Sequence, residues 1–434
     1  MEKTGKKVGK LSIFLSLASV SMVFAVMYSI PYVKSVFYDG MLAITGVSNA
    51  ELGVLMTIYG LGEVFTPGIG GILASKYDHK IIILISSIGT AIACALMALF
   101  PSFVMALVVW TILVFSTLFM VWGTLFKAIR LIVSDEEQGK ISGYFGGFIG
   151  VCYLVVNGLC LVIYSMVGGD DAVLGMKGVF YALAVMMVIF SILCYFALKR
   201  TGVNNPTAAE EMKNDTGAKL PFWSELKAVM KYPGVWYFGG TLFCVYSTNI
   251  AIQYFTPYFT SVLQAAAVFS GVIAIVRSYG MRLLGSPTGG FLAGKLNSVS
   301  NAIIIAFIGT GLSIIAVLLL PSNFASIGIL IALVLLASFF NNVGNGIEYA
   351  IPTEGRVPVK YHAAAIGLGS AIGFAPDLFE HVLFGHWIDK FGADGYTYIF
   401  IYGVAAAVAG IALLIKYNAD KKRVVGTAAP SAAE

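Results

Sequence analysis

Charge is what this 434-residue sequence has least of. Asp, Glu, Lys and Arg make up 11% of it, less than half of the roughly 25% found in an ordinary soluble domain. A soluble protein of this length could not cover its surface with so few charges. Histidine is scarce too, at four residues, and cysteine at five. Cys94, Cys152, Cys160, Cys194 and Cys244 all lie in apolar runs, without paired spacing or a neighbouring His cluster. They read as buried small hydrophobes, not disulfides or metal ligands. A His/Glu metal motif, a nucleophile elbow and a phosphate-binding loop are all missing. No cofactor, nucleic-acid partner or catalytic cluster is therefore expected. The filter-like loop or charged ring that a channel would need is not visible either.

Apolar residues, by contrast, make up 59% of the chain. They arrive in runs of about 20, the length that crosses a ~30 Å hydrocarbon layer at about 1.5 Å per residue. Strands of a membrane barrel would be about 10 residues long with alternating polarity. Lipid offers no partner to a bare backbone amide, so these runs must be helices. Twelve spans are expected, at 11–33, 50–73, 81–100, 104–126, 141–165, 178–198, 236–258, 271–293, 301–320, 326–349, 363–384 and 396–415. Ser48 and Glu51 form a capping box opening the second. Pro101-Ser102 and Pro321-Ser322-Asn323 mark tight hairpin turns. The first run is too long for a removable signal peptide and has no small-residue cleavage site.

The basic residues orient the spans. With the N-terminus inside, 22 of the 27 Lys and Arg fall on the cytoplasmic side. Lys34, Lys177 and Lys390 fall outside, and Arg277 and Arg282 lie within the eighth span. This asymmetry predicts an even span count and two cytoplasmic termini. The expectation is a multi-pass monomer of a bacterial cytoplasmic (inner) membrane, with the lipid bilayer and a small-molecule solute as partners.

The polar stretch 199–233, with an amphipathic helix expected over 221–231, separates a six-span bundle (1–198) from a second bundle and cytoplasmic tail (234–434). The halves repeat each other. Pro31-Tyr32…Ser35-Val36 matches Pro257-Tyr258…Ser261-Val262, and Tyr59-Gly60…Thr66-Pro67 matches Tyr279-Gly280…Ser286-Pro287. Gly70-Gly71-Ile72-Leu73-Ala74-Ser75-Lys76 matches Gly289-Gly290-Phe291-Leu292-Ala293-Gly294-Lys295. Two such halves suggest alternating access, with a substrate site between them near mid-membrane.

The run from Gly71 to Lys80 resembles the loop signature of the major facilitator superfamily, G-x-L-A-D-R-x-G-R-K. It departs from it at Ser75, where the family usually has Asp. Phe126–Leu131 followed by Asp135–Gly139, and Val357–Lys360 followed by Ile372–Asp377, resemble bacterial members grouped with nitrate/nitrite porters and organophosphate antiporters. The Gly/Asn-rich signature of the former and the paired arginines of the latter are absent. The resemblance therefore implies the fold, an all-α integral membrane protein with two pseudo-symmetric six-helix bundles, and not a solute.

In that fold spans one, four, seven and ten line the cavity. Span one offers Ser21, Tyr28 and Tyr32; span four offers Thr117 and Thr124, with Lys127 at its inner end. Span seven has Tyr246, Asn249 and Gln253, with Tyr254 and Tyr258 close by, and span ten has Asn341, Asn342, Asn345 and Glu348. A solute in a wet cavity would partner these groups, and so would hydrogen bonds between helices. Arg282 sits about 16 Å into its span. Arg277, five residues earlier, points about 140° away around the helix. A guanidinium fork suits a carboxylate, sulfonate or phosphate. Glu63 and Asp377, acids within spans, are candidates for proton coupling or for pairing with an arginine. Glu380, His381 and His386 read as snorkelling toward headgroups. Lys127, Arg130 and Glu348 read as an inner gate or topology anchors, and Gly143, Gly146, Gly147, Gly367, Gly369 and Gly373 as close-packing points.

The expected function is secondary active transport of a small anionic organic solute, coupled to a proton or a counter-solute. A neutral polar solute such as a sugar or nucleoside is the alternative; a membrane-embedded enzyme or a channel are the readings from other classes.

Overall fold

A computed structural model describes residues 9–66, 77–121, 124–125, 128, 138–201, 222–320, 327–355, 357–358 and 361–427. Among the described residues there is no strand. Eight helices are long and apolar enough to cross a membrane unaided: Leu11–Ser29, His79–Leu99, Phe145–Gly168, Ala172–Arg200, Ala267–Leu296, Val299–Leu319, Ile327–Glu354 and Ala393–Lys421. The other four expected segments are also helical but shorter, interrupted or more polar. They are Asn49–Phe65, Phe103–Leu113 running into a π-helical turn Val114–Phe119, Pro233–Gln253 with Phe255–Ser261, and a segment in three pieces, His362–Gly373, Ala375–Leu378 and Glu380–Phe391. We number all of these spans one to twelve in chain order.

Two of the interruptions have a covalent cause. A proline ring clashes with the carbonyl four residues back and leaves it without a donor. Pro257 falls four residues after Gln253, where the first part of span seven ends. Pro376 falls four after Ile372, beside the first break in span eleven. Helix starts are set by capping side chains. Glu51 N donates to Ser48 Oγ at 3.3 Å and Ser48 N to Glu51 Oε2 at 2.9 Å, the expected reciprocal box. Asp78, Ser102 and Asp171 cap spans three, four and six by accepting backbone N–H groups of the first turn, without the reciprocal bond.

One helix, and the extension of another, were not expected. An eight-residue helix, Tyr38–Thr45, fills the loop after span one. It ends at Gly46 with φ +70° and lies at 99° to span two. The final helix also runs on through Ala393–Thr427, so the charged tail is helical at least that far. The expected linker helix is present as Phe222–Val229, whereas 206–219 lies outside the described residues.

The burial pattern is that of a protein in lipid. Large apolar side chains such as Phe196, Phe291 and Leu319 stand exposed, while Ser86, Ser87, Thr90, Thr310 and Ser313 are buried. Thr310 and Ser313 satisfy their hydroxyls on their own helix: Thr310 Oγ1 donates to Ala306 O at 2.9 Å and Ser313 Oγ to Gly309 O at 2.7 Å, whereas Thr90 Oγ1 donates to Ser116 Oγ of span four at 3.0 Å. All five cysteines are buried and free.

The chain forms two compact units, residues 1–218 with 267–275, and residues 219–266 with 276–434. In the second, spans eight and ten meet backbone to backbone. A Cβ on Gly289 would stand 2.3 Å from Val343 O, and one on Gly285 2.7 Å from Phe339 O. Gly373 and Gly369 of span eleven are pressed equally closely by Leu242 and Phe238 of span seven. Gly146, Gly147 and Gly367 have open space instead. At one end of this unit Glu354 collects Ser298 Oγ at 3.0 Å, Ser300 N at 3.0 Å and Lys421 Nζ at 2.7 Å. Beside it Ser300 Oγ donates to Asn418 Oδ1 at 2.7 Å, and Tyr237 donates its hydroxyl to Asp420. The extended last helix is thereby tied to spans seven, nine and ten.

Candidate functional site

In the first unit the candidate residues of spans one, two and four form one polar group. Tyr28, buried, donates its hydroxyl to Thr117 O at 3.0 Å. Thr117 Oγ1 lies 2.8 Å from the hydroxyl of Tyr59. Tyr32 donates to Glu63 Oε1 at 2.5 Å, and its ring meets that of Tyr59 edge-on at 5.7 Å. Glu63 is half-buried. Thr124 is buried and bonds its own backbone at Met120 O. Lys127 and Arg130 lie outside the described residues.

The span-ten amides of the second unit divide. Asn341 is buried and donates to Val245 O at 3.0 Å and Thr248 Oγ1 at 2.7 Å, a bond between spans ten and seven. Asn342 Nδ2 donates to Ser338 O of its own helix at 2.8 Å. Asn345, half-buried, donates to Glu348 Oε1 at 3.2 Å. Glu348 is buried, and its Oε2 has no hydrogen-bond partner among the described residues. Arg282 is exposed and lies close enough to Glu348 for their charges to act on each other. It shares its helix face with Gly285 and Gly289, three and seven residues on. Because those glycines abut span ten, the arginine rises from the span-ten side of its helix. Arg282, Asn345 and Glu348 thus form a charged polar group.

On span seven, Asn249 is half-buried and makes no side-chain hydrogen bond among the described residues, and Gln253 is half-buried beside the helix break. Tyr258 is buried against Tyr396 and Phe400, and borders a cleft lined by Asp394 and Thr397. That cleft holds none of the other candidates.

Arg277 differs from Arg282 in every respect. It is buried, on the π-helical turn Val276–Gly280. It donates to Ile252 O and, at 3.4 Å, to Thr256 Oγ1. Those acceptors flank the break in span seven, where a helix C-terminus leaves carbonyls open and favours a cation.

Span eleven corrects the sequence reading most. Glu380 and His381, expected to snorkel, are buried at 0% and 1% exposure; His386 is exposed. The expected span stopped at 384, which put these residues near a membrane end. The helical segment continues to Phe391, so they lie just beyond its second break instead. There Tyr246 donates to Asp377 Oδ2 at 2.8 Å, and His381 Nε2 lies 3.1 Å from Asp377 Oδ1. Glu380 Oε1 accepts from Ser247 at 2.5 Å and from Tyr402 at 2.8 Å. Asp377 was legible as an acid beside a proline. Its partners were legible only as spacing, Asp377 and Glu380 three apart and His381 one turn after Asp377.

Comparison with known proteins agrees with this architecture. Two inner membrane proteins of Escherichia coli (strain K12) are similar to the chain over nearly its whole length. YqcE is 27% identical over 423 residues, 97% of each chain. YihN is 23% identical over 412 residues, 93% of this chain and 95% of its own. Among solved structures, a point mutant of the nucleoside transporter NupG superposes with a TM-score of 0.72 at 14% identity, covering 94% of this chain and 99% of that one. A bacterial homologue of the lysosomal transporter Spinster gives 0.71 at 14% identity (94% and 97%), and a D-xylose–proton symporter 0.68 at 16% (93% and 97%). These likenesses establish the fold. The model of the Major Facilitator Superfamily matches residues 11–376, and the chain belongs to that superfamily.

Proposed function

We propose that this protein is a secondary active transporter of a small organic anion, working by alternating access and coupled to a proton or counter-solute. On this reading it lies in a bacterial cytoplasmic membrane with both termini inside. The superfamily match and the inner-membrane relatives support the setting. The observation that carries the solute class is Arg282, an exposed guanidinium well inside span eight and beside Asn345 and Glu348. A charge at that depth is costly unless it faces a cavity or a partner. Its planar fork pairs bidentately with a carboxylate, sulfonate or phosphate. In the same unit Asn249, Gln253 and Asn345 are the candidates for polar contacts to the rest of the solute, with Tyr258 and Asn342 as further candidates. Tyr28 and Tyr32 are those of the first unit, and Glu63, Asp377 and Glu348 are acids available for coupling.

A thermal-shift panel tests this: purified protein against carboxylates, sulfonates, phosphate esters, sugars and nucleosides. An anion should stabilise the wild type, and Arg282→Ala should weaken its apparent affinity at least about tenfold, or ~1.4 kcal/mol. Flux of that anion into proteoliposomes, saturable and driven uphill by an imposed gradient, then separates a transporter from a channel or an enzyme.

A neutral solute is the second reading. Glu348 already offers Arg282 a counter-charge, and Asn249 leaves its amide without a side-chain hydrogen bond among the described residues. Stabilisation by a sugar or nucleoside, equal in wild type and Arg282→Ala, would decide for it.

A further inference from the structure

We propose that Glu380 carries an exchangeable proton in the second unit, in a site it forms with Ser247 and Tyr402 and beside the Asp377–His381 pair. This deepens the reading of the chain as a coupled transporter and rests on it for its physiological meaning.

The argument begins with charge balance. Asp377, Glu380 and His381 are all buried, at 1% exposure or less. Asp377 faces His381 at 3.1 Å, so its carboxyl has an ionisable partner at hand. Glu380 has no such partner: no Lys or Arg among the described residues bonds or ion-pairs with it. The groups facing it are Cys244, Ser247 and Tyr254 on span seven, Tyr402 on span twelve, and Asp377 on its own span. None brings a positive charge. An isolated buried carboxylate is costly, and neutralisation by a proton is the usual resolution.

The hydrogen bonds assign the proton to one oxygen. Oε1 accepts from both Ser247 and Tyr402, while Oε2 is buried with no hydrogen-bond partner among the described residues. A carboxylic acid with its hydroxyl on Oε2 keeps both bonds at Oε1 as the carbonyl. When the proton leaves, the same two donors and the N-terminus of the helix Glu380–Phe391 remain to receive the negative charge. The site is therefore built for both states. It is also wired to the solute stripe. Tyr246 and Ser247, neighbours on span seven, hold Asp377 and Glu380 respectively, and Asn249 lies three residues after Tyr246 on the same helix. Gain or loss of the proton alters the strength, not the partners, of the two bonds that join spans seven, eleven and twelve.

The test is an infrared titration of the purified full chain in lipid nanodiscs, without solute, over about pH 5 to 9, where buried carboxyls titrate. A carboxylic C=O band should appear and vanish with pH in the wild type and in Glu63→Gln, and be lost in Glu380→Gln. Should Glu380→Gln fail to fold, Ser247→Ala and Tyr402→Phe still report: each should move the band to higher wavenumber by removing a hydrogen bond from the carbonyl. A titrating band whose intensity is unchanged in Glu380→Gln, or no titrating band in the wild type, overturns the proposal. So does a band erased when sodium chloride replaces choline chloride at fixed pH, which would make the site one for a cation. If the band behaves as expected but flux of the panel anion ignores a pH gradient, the coupled-transport reading falls and the proton site stands.

Discussion

Tyr32, just past the end of span one, donates its hydroxyl to the Glu63 carboxylate of span two at 2.5 Å. A hydrogen bond to a charged acceptor contributes about 1.5 to 3 kcal/mol. Tyr32→Phe should therefore lower the unfolding temperature of the purified protein, and its cost should shrink in a Glu63→Gln background. A double-mutant cycle of unfolding free energies measures this. Equal penalties in both backgrounds would mean that the two side chains are not coupled.

The two span-eight arginines should separate by phenotype. Arg277→Ala strands the Ile252 carbonyl at the break in span seven, and an unsatisfied buried group costs about 1 to 3 kcal/mol. Its main effect should be a lower melting temperature, with anion affinity in the surviving folded fraction largely kept. Arg282→Ala should do the reverse. Arg282→Lys, keeping the charge but not the fork, should fall between wild type and Arg282→Ala in affinity. Wild-type affinity in both alanine variants would remove the anion from consideration.

Gly289 and Gly290 are neighbours with opposite surroundings. A Cβ at Gly289 would meet Val343 O at 2.3 Å, whereas one at Gly290 would meet nothing within 4 Å. Gly289→Ala should destabilise by about 1 to 3 kcal/mol, because two backbones must move apart. Gly290→Ala should be neutral, or stabilise by up to about 1 kcal/mol through helix propensity. Thermal unfolding of the two variants side by side makes the comparison.

Reporter fusions check the orientation. Fusions placed after Arg200, Lys295 or Lys416 should report a cytoplasmic location, and those near Asp171 or Gly392 a periplasmic one. A periplasmic reporter after Lys416 would overturn both the orientation and the even count.

Much of the fold is written locally and could be read locally. Apolar runs placed the spans, Ser48 and Glu51 placed a helix start, and five-residue spacing separated the environments of Arg277 and Arg282. The sites were less legible, because burial is decided by neighbours distant in sequence. Nothing near Glu380 announces Ser247, 133 residues earlier, as its donor. Depth also failed in the broken span eleven: counting from a presumed end at residue 384 put Glu380 near water. Pro376 signalled the break, but not that the helix beyond it runs past residue 384 to Phe391.

The long last helix also bears on how the protein is made. Lys421 reaches back 67 residues to Glu354, and Tyr237 awaits Asp420 across 183. At ribosomal rates of about 5 to 20 residues per second, Glu354 is synthesised some 3 to 13 s before its lysine. During that interval spans seven, nine and ten stand in the bilayer without the clasp that joins their ends. A ribosome that stalls in this stretch leaves them so, and offers membrane quality control an open bundle to recognise.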